Sequence, residues 1–166
     1  MTGVQTCALP ISLGIKHVGV MVETPAAALH ADKVLAEVDF GSFGTNDLTQ
    51  YVMASDRLDS RLSDMTSTWH PAVLRIIQIA ANAAGNLIKP IGVCGEAAAN
   101  PHLAAVLLGL GVNSLSMAPS AIGEVRGFLS TVDLATCQAA AQRAVSAISA
   151  EEAESFAKEV LEGGVK

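Results

Sequence analysis

Four side chains in this sequence combine a reactive type with a suggestive position: Glu23, Asp47, Cys94 and Arg57. Glu23 closes the apolar run Gly19-Val20-Met21-Val22, and Asp47 follows a second strand-like run ending at Gly44. In a parallel array both carboxylates would face one cleft. Such a pair suits a hard divalent cation, because magnesium takes one or two carboxylates and leaves its other positions to water and phosphate oxygens. Each acid could equally be a solvated strand-end charge or a cap for the next helix. Cys94 ends another apolar run, between Val93 and Gly95, with Glu96 close behind. A cysteine thiol, with a reference pKa of about 8.5, is largely protonated at neutral pH and can serve as a general acid toward a carbanion-like centre. For a lone cysteine, a buried structural thiol is the commoner case. Arg57 stands in a polar stretch that could fold over the cleft, and guanidinium groups grip phosphate through paired, charge-assisted hydrogen bonds. Surface pairing with Asp56, Asp59 or Asp64 is the default for Arg57 and for Arg61. His70 either contributes to a site or caps a helix, whereas His17, His30 and His102 have no ligand spacing. Trp69 and Tyr51 read as packing residues.

The elements that must position these side chains alternate. HVGVMVE reads as a strand buried on both faces, and Pro25 suits the first turn of one helix through AAALHADKVLAE. VDFGSFG is a second strand with TNDLTQ as its exit loop, followed by SDRLDSRLSDMTS as loop with partial helix. PAVLRIIQIAANAAG has helical spacing at Val73, Leu74, Ile77 and Ala81, with Gly85 as its stop. PIGVCGE is a third strand, PHLAAVLLGLG a helix ended by Gly109 and Gly111, and SLSMAP a fourth strand. Beyond Pro119 the chain is Ala-rich, with no further strand, and reads as one or two closing helices. Strand-helix alternation predicts an α/β fold with a parallel sheet, either doubly wound or part of a closed eight-stranded barrel. Both architectures bind ligands at the carboxyl ends of their strands, which singles out Glu23, Asn46, Asp47, Cys94 and Glu96.

Composition narrows the classes further. The 166 residues are 51% hydrophobic and 16% charged, with a net charge of -6, so one core can form and no basic stripe awaits a nucleic acid. No apolar stretch reaches the roughly 20 residues of a membrane span. Cys7, Cys94 and Cys137 lack metal-ligand or disulfide-framework spacing, which fits a reducing cytoplasm. The opening residues lack the basic and apolar regions of a signal peptide. VQTCALPI, residues 4–11, resembles the conceptual translation of a sequencing adapter, so residues 1–11 are set aside as an artefact of a gene fragment.

GVMVETPAAAL, DFGSFGTNDLTQYVMASDR, HPAVLRII, GVCGEAAANP and LLGLGVNSLSMAPSAI, in that order between Gly19 and Arg126, resemble the C-terminal barrel of phosphoenolpyruvate-protein phosphotransferases, the Enzyme I family. The resemblance implies the second half of a (β/α)8 barrel over residues 12–128, four strand-helix units, with a C-terminal helical segment over 129–166. It implies magnesium held by Glu23 and Asp47, and substrate phosphate held by Asn46, by Arg57 and by backbone around Gly44 and Thr45. Cys94 would protonate enolpyruvate. Members of this family pass the phosphoryl group of phosphoenolpyruvate to a histidine on a separate N-terminal domain and then to a small histidine-containing phosphocarrier protein, releasing pyruvate. The intact barrel is expected to be a cytoplasmic homodimer. A complete barrel needs about 250 residues, so strands, further arginines and the phosphorylated domain are expected outside this chain, which alone would be inactive. CGEAAA also stands where many relatives have CGEMAG or CGELAG. Pyruvate phosphate dikinases and phosphoenolpyruvate synthases share similar blocks but carry a longer connection before the HPAVLRII position. They are the runner-up, and a non-catalytic dimerisation or binding remnant is the reading from a different class.

Overall fold

A computed structural model of the chain describes residues 14, 16–55 and 66–163. The set-aside leader, Cys7, Arg57, Arg61 and most of the SDRLDSRLSDMTS stretch lie outside the described residues. Four strands, β1 (Gly19–Val22), β2 (Phe40–Gly44), β3 (Ile91–Cys94) and β4 (Ser114–Ser116), form one parallel sheet in chain order. Between β1 and β2 lie α1 (Pro25–Leu29), α2 (Ala31–Val34) and a 3-10 turn, Leu35–Glu37. Then come α3 (Thr45–Met53) and α4 (Pro71–Asn86) before β3, and α5 (Pro101–Gly109) before β4. Three helices close the chain: α6 (Pro119–Leu129), α7 (Leu134–Ser146) and α8 (Ala150–Gly163). The α/β alternation expected from sequence is therefore present, as part of a phosphoenolpyruvate-binding barrel would show it. Among the described residues no helix is long and apolar enough to cross a membrane.

Register decides what each face of the sheet carries. Val22, Phe43, Val93 and Leu115 stand in one row across the four strands, and Val20, Gly41 and Ile91 in another. These rows meet the helices: Val22, Phe43, Ile91 and Val93 are fully buried, in one core with Leu35, Leu74 and Ile77. The alternate rows, Met21-Ser42-Gly92-Ser114 and Gly44-Cys94-Ser116, must point to the other side, because side chains alternate along a strand. That side is open, with Met21 and Phe40 each 42% exposed. The expectation that the first strand is buried on both faces is thus corrected: only the helix side is covered.

Local chemistry explains four further differences. The helix begun by Pro25, and capped where Thr24 Oγ1 accepts from the Ala27 N–H at 3.2 Å, breaks at His30, whose ψ of 24° leaves the helical range. TNDLTQ is no loop: β2 passes at Gly44 straight into α3, which buries Leu48 and Thr49. Gly85 lies inside α4, and the left-handed residue after it is Ile88 at φ 55°. The closing helices number three, because PSAIGEVRGFL forms α6 with proline in its first turn. Gly109 ends α5 where a Cβ would run into the Cys137 carbonyl, so α5 and α7 pack with backbones nearly touching. Leu103, Val106 and Leu107 of α5 share a core with Ala140 and Ala144 of α7 and with Ala153 and Leu161 of α8.

Candidate functional site

The carboxyl ends of the first three strands converge on a cleft of about 140 Å³ lined by Glu23, Gly44, Thr45, Asn46, Asp47, Cys94 and Gly95. Six of the residues singled out from the sequence, Glu23, Gly44, Thr45, Asn46, Asp47 and Cys94, are brought together here. Glu23 follows β1 directly, and its carboxylate lies over Gly44: a Cβ there would stand 2.6 Å from Glu23 Oε1 and 2.7 Å from its Cγ. Gly44 is also the N-cap of α3, so no side chain caps the helix start. The partial positive charge of the first helical turn therefore meets no capping side chain at the cleft, and Asp47 sits in that same turn. Glu23, Asn46, Asp47 and Cys94 are each half-buried, accessible to a small ligand yet held by the fold.

Cys94 is held from two sides. Its Sγ donates to the Phe43 carbonyl at 3.4 Å, and its own carbonyl accepts from Thr45 Oγ1 at 3.0 Å. Gly95 then turns the chain at φ 105°, a conformation that glycine alone adopts readily, and an added Cβ would stand 2.9 Å from Thr45 Oγ1 and 3.2 Å from Asn46 Oδ1. A second, wider cavity of about 370 Å³ shares Asn46 and Gly95 with the first and continues past Glu96 to Ser116 and Met117.

Among the described residues, no group of three or more His, Cys, Asp and Glu side chains could enclose a metal ion. Two carboxylates on one open cleft instead match a cation that keeps water and substrate oxygens, as magnesium does and an all-protein cage does not. The residues present fit that ion.

Other side chains have structural duties. His70 Nδ1 accepts from the Ala72 N–H at 3.2 Å and so caps α4. His102 pairs with Glu162 at 3.3 Å and packs its ring on Phe128, joining α5, α6 and α8. Trp69 is buried as expected, but Tyr51 is 55% exposed and does not pack in the core, which corrects the reading made for it. Sequence reasoning passed over Ser116 and Met117 at the end of β4. The same strand-end rule that found Cys94 would have found them.

A parallel sheet with helices between its strands and polar groups gathered at its carboxyl edge defines the ligand-binding class of α/β proteins. The chain belongs to the family described as PEP-utilising enzyme, PEP-binding domain, whose model matches residues 9–134. It is 51% identical over 145 residues to a phosphoenolpyruvate-protein phosphotransferase of Streptomyces coelicolor, covering 87% of this chain and 26% of the relative. A phosphoenolpyruvate-protein phosphotransferase of Bacillus subtilis is 39% identical over 145 residues, 87% of this chain and 25% of that protein. A multiphosphoryl transfer protein of Xanthomonas campestris is 43% identical over 135 residues, covering 81% and 16%. The chain thus spans about a quarter of the length of the phosphotransferases it matches. The family resemblance drawn from the sequence blocks holds.

Proposed function

We propose that this segment supplies one half of a phosphoenolpyruvate-binding barrel in a phosphotransferase that moves the phosphoryl group of phosphoenolpyruvate to a protein histidine and releases pyruvate. The observation that carries the reading is one cleft lined by Glu23, Asn46, Asp47 and Cys94, at the carboxyl edge of a parallel sheet. In this reading residues 12–128 belong to the barrel and residues 129–166 form the closing helical segment.

Glu23 and Asp47 would hold magnesium, which would supply positive charge to stabilise the anionic substrate. The N–H groups at the start of α3, around Gly44 and Thr45, face the substrate phosphate, with the Asn46 side chain beside them. Arg57, which lies outside the described residues, is the further phosphate-binding side chain that the family resemblance implies. As the phosphoryl group leaves for the histidine nitrogen, the bridging P–O bond breaks and its electrons stay on the enolate oxygen. Cys94 then gives its thiol proton to the methylene carbon, the enolate becomes the ketone of pyruvate, and solvent reprotonates the sulfur. Fixing donors where charge develops lowers the barrier without reorganisation during the reaction.

The histidine lies on a separate N-terminal domain, and a histidine-containing phosphocarrier protein takes the phosphoryl group from it. The intact protein acts as a homodimer in the cytoplasm. The test uses the full-length protein bearing this segment, with phosphoenolpyruvate, magnesium and either carrier protein or nucleotide. Carrier-dependent pyruvate release supports the reading. A requirement for nucleotide instead moves the protein to the dikinase and synthase branch.

A further inference from the structure

Thr45 is fully buried, yet it opens a helix at the edge of the cleft. A hydroxyl that caps a helix belongs at the N-cap, one residue earlier, where this chain has glycine. The Thr45 hydroxyl instead reaches to β3 and donates to the Cys94 carbonyl at 3.0 Å. That carbonyl stands where the ladder ends, since Gly44 opposite Cys94 is the last registered pair between β2 and β3. The following Gly95, at φ 105°, offers no Cβ to resist rotation of the Cys94–Gly95 peptide. The Cys94 thiol is tied separately, to the Phe43 carbonyl of β2. Backbone and side chain of Cys94 are therefore referenced to two different elements, and Thr45 is the tie to α3.

We infer that the Thr45 side chain is a positioning residue, which sets the distance between the proton donor Cys94 and the α3 turn that carries Asn46 and Asp47. The inference rests on the phosphotransferase reading and deepens it. In that reaction one end of a small substrate is gripped at α3 while its carbon must meet a thiol on β3, so a hydroxyl joining the two elements fixes the reach of the proton. Misplacement of a reacting group by about 1 Å can cost about 100-fold in rate. The backbone N–H groups of the turn keep their role toward phosphate whether or not the hydroxyl is present. Losing the hydroxyl therefore acts on the protonation step more than on substrate binding.

Steady-state pyruvate release by the full-length protein, with magnesium and carrier protein, compares wild type with Thr45→Val, Thr45→Ser and Thr45→Ala. Valine keeps the shape and removes the donor, serine keeps the donor, and alanine stands in should valine fail to fold. The expected result is a kcat lowered about 10- to 100-fold in Thr45→Val and Thr45→Ala, with KM for phosphoenolpyruvate within about threefold of wild type. Thr45→Ser should stay within about threefold of wild type in both constants. Unchanged kcat in the valine and alanine variants overturns the inference. So does an equal loss in the serine variant, or a raised KM at constant kcat, which would mark packing or substrate binding instead. Wild type that releases no pyruvate removes the phosphotransferase reading itself, and with it this inference.

Discussion

The carboxylate of Glu23 rests on Gly44, so closely that a methyl group on the glycine would stand 2.6 Å from Glu23 Oε1. Gly44 has φ −87° and ψ 85°, outside the left-handed region, so its lack of a side chain answers to this approach and not to backbone conformation. Glycine at the end of β2 is what lets an acid from β1 share a cleft with Asp47 of α3.

Gly44→Ala should therefore displace Glu23 while leaving the sheet intact. Disturbing the groups that orient a metal ligand typically costs about 10- to 100-fold in affinity. The magnesium concentration for half-maximal pyruvate release by the full-length protein should rise at least about tenfold, with activity recovered at high magnesium. An unchanged magnesium requirement would place Glu23 outside the metal site.

Much of this arrangement was legible in the sequence, and the reason is physical. Strands that end in a polar residue after a buried run advertise their carboxyl ends, which placed Glu23, Asn46, Asp47 and Cys94 correctly at one edge. The start of α3 was misread because TNDLTQ is polar and lacks a capping side chain at Gly44. What holds that helix start is tertiary: the Thr45 bond to Cys94, between residues 49 apart in sequence, and the burial of Leu48. The open face of β1 was misread for a similar reason. Apolar continuity says that a strand is suited to burial, but what covers each face depends on elements remote in sequence.

Cys137 offers a pH test that is independent of the cleft. It is a buried residue of α7, and burial pushes its thiol pKa up, with the negative charge of Asp133 adding to the effect. The folded pKa lies above the unfolded one, so the thiol's contribution is fully present below the ordinary thiol range. It is lost as pH rises through that range toward the folded value, because the unfolded chain releases its proton first. Stability of the wild type should fall on this alkaline limb more steeply than that of Cys137→Ala, measured as urea midpoints across the pH series. Parallel limbs would contradict the account.

The open side of the sheet has a consequence for the 166-residue chain on its own. Among the described residues β1 and β4 each have one unpaired edge, and Val18, Met21 and Phe40 are exposed at the β1 end of the sheet. Unpaired edges with apolar neighbours template association between chains. Sedimentation velocity of the isolated chain should show concentration-dependent self-association, reduced in the double variant Met21→Lys, Phe40→Lys. A monodisperse monomer that unfolds cooperatively would contradict this.

The most direct measurement of the central claim is pyruvate release from phosphoenolpyruvate by the full-length protein with magnesium and carrier protein, comparing wild type with Cys94→Ala and Asp47→Ala. Loss of a general acid typically costs about 100- to 10,000-fold, so Cys94→Ala is predicted to fall by at least the lower figure; Asp47→Ala, which removes a magnesium ligand, is predicted to lose activity as well. Activity that survives both substitutions would contradict the site.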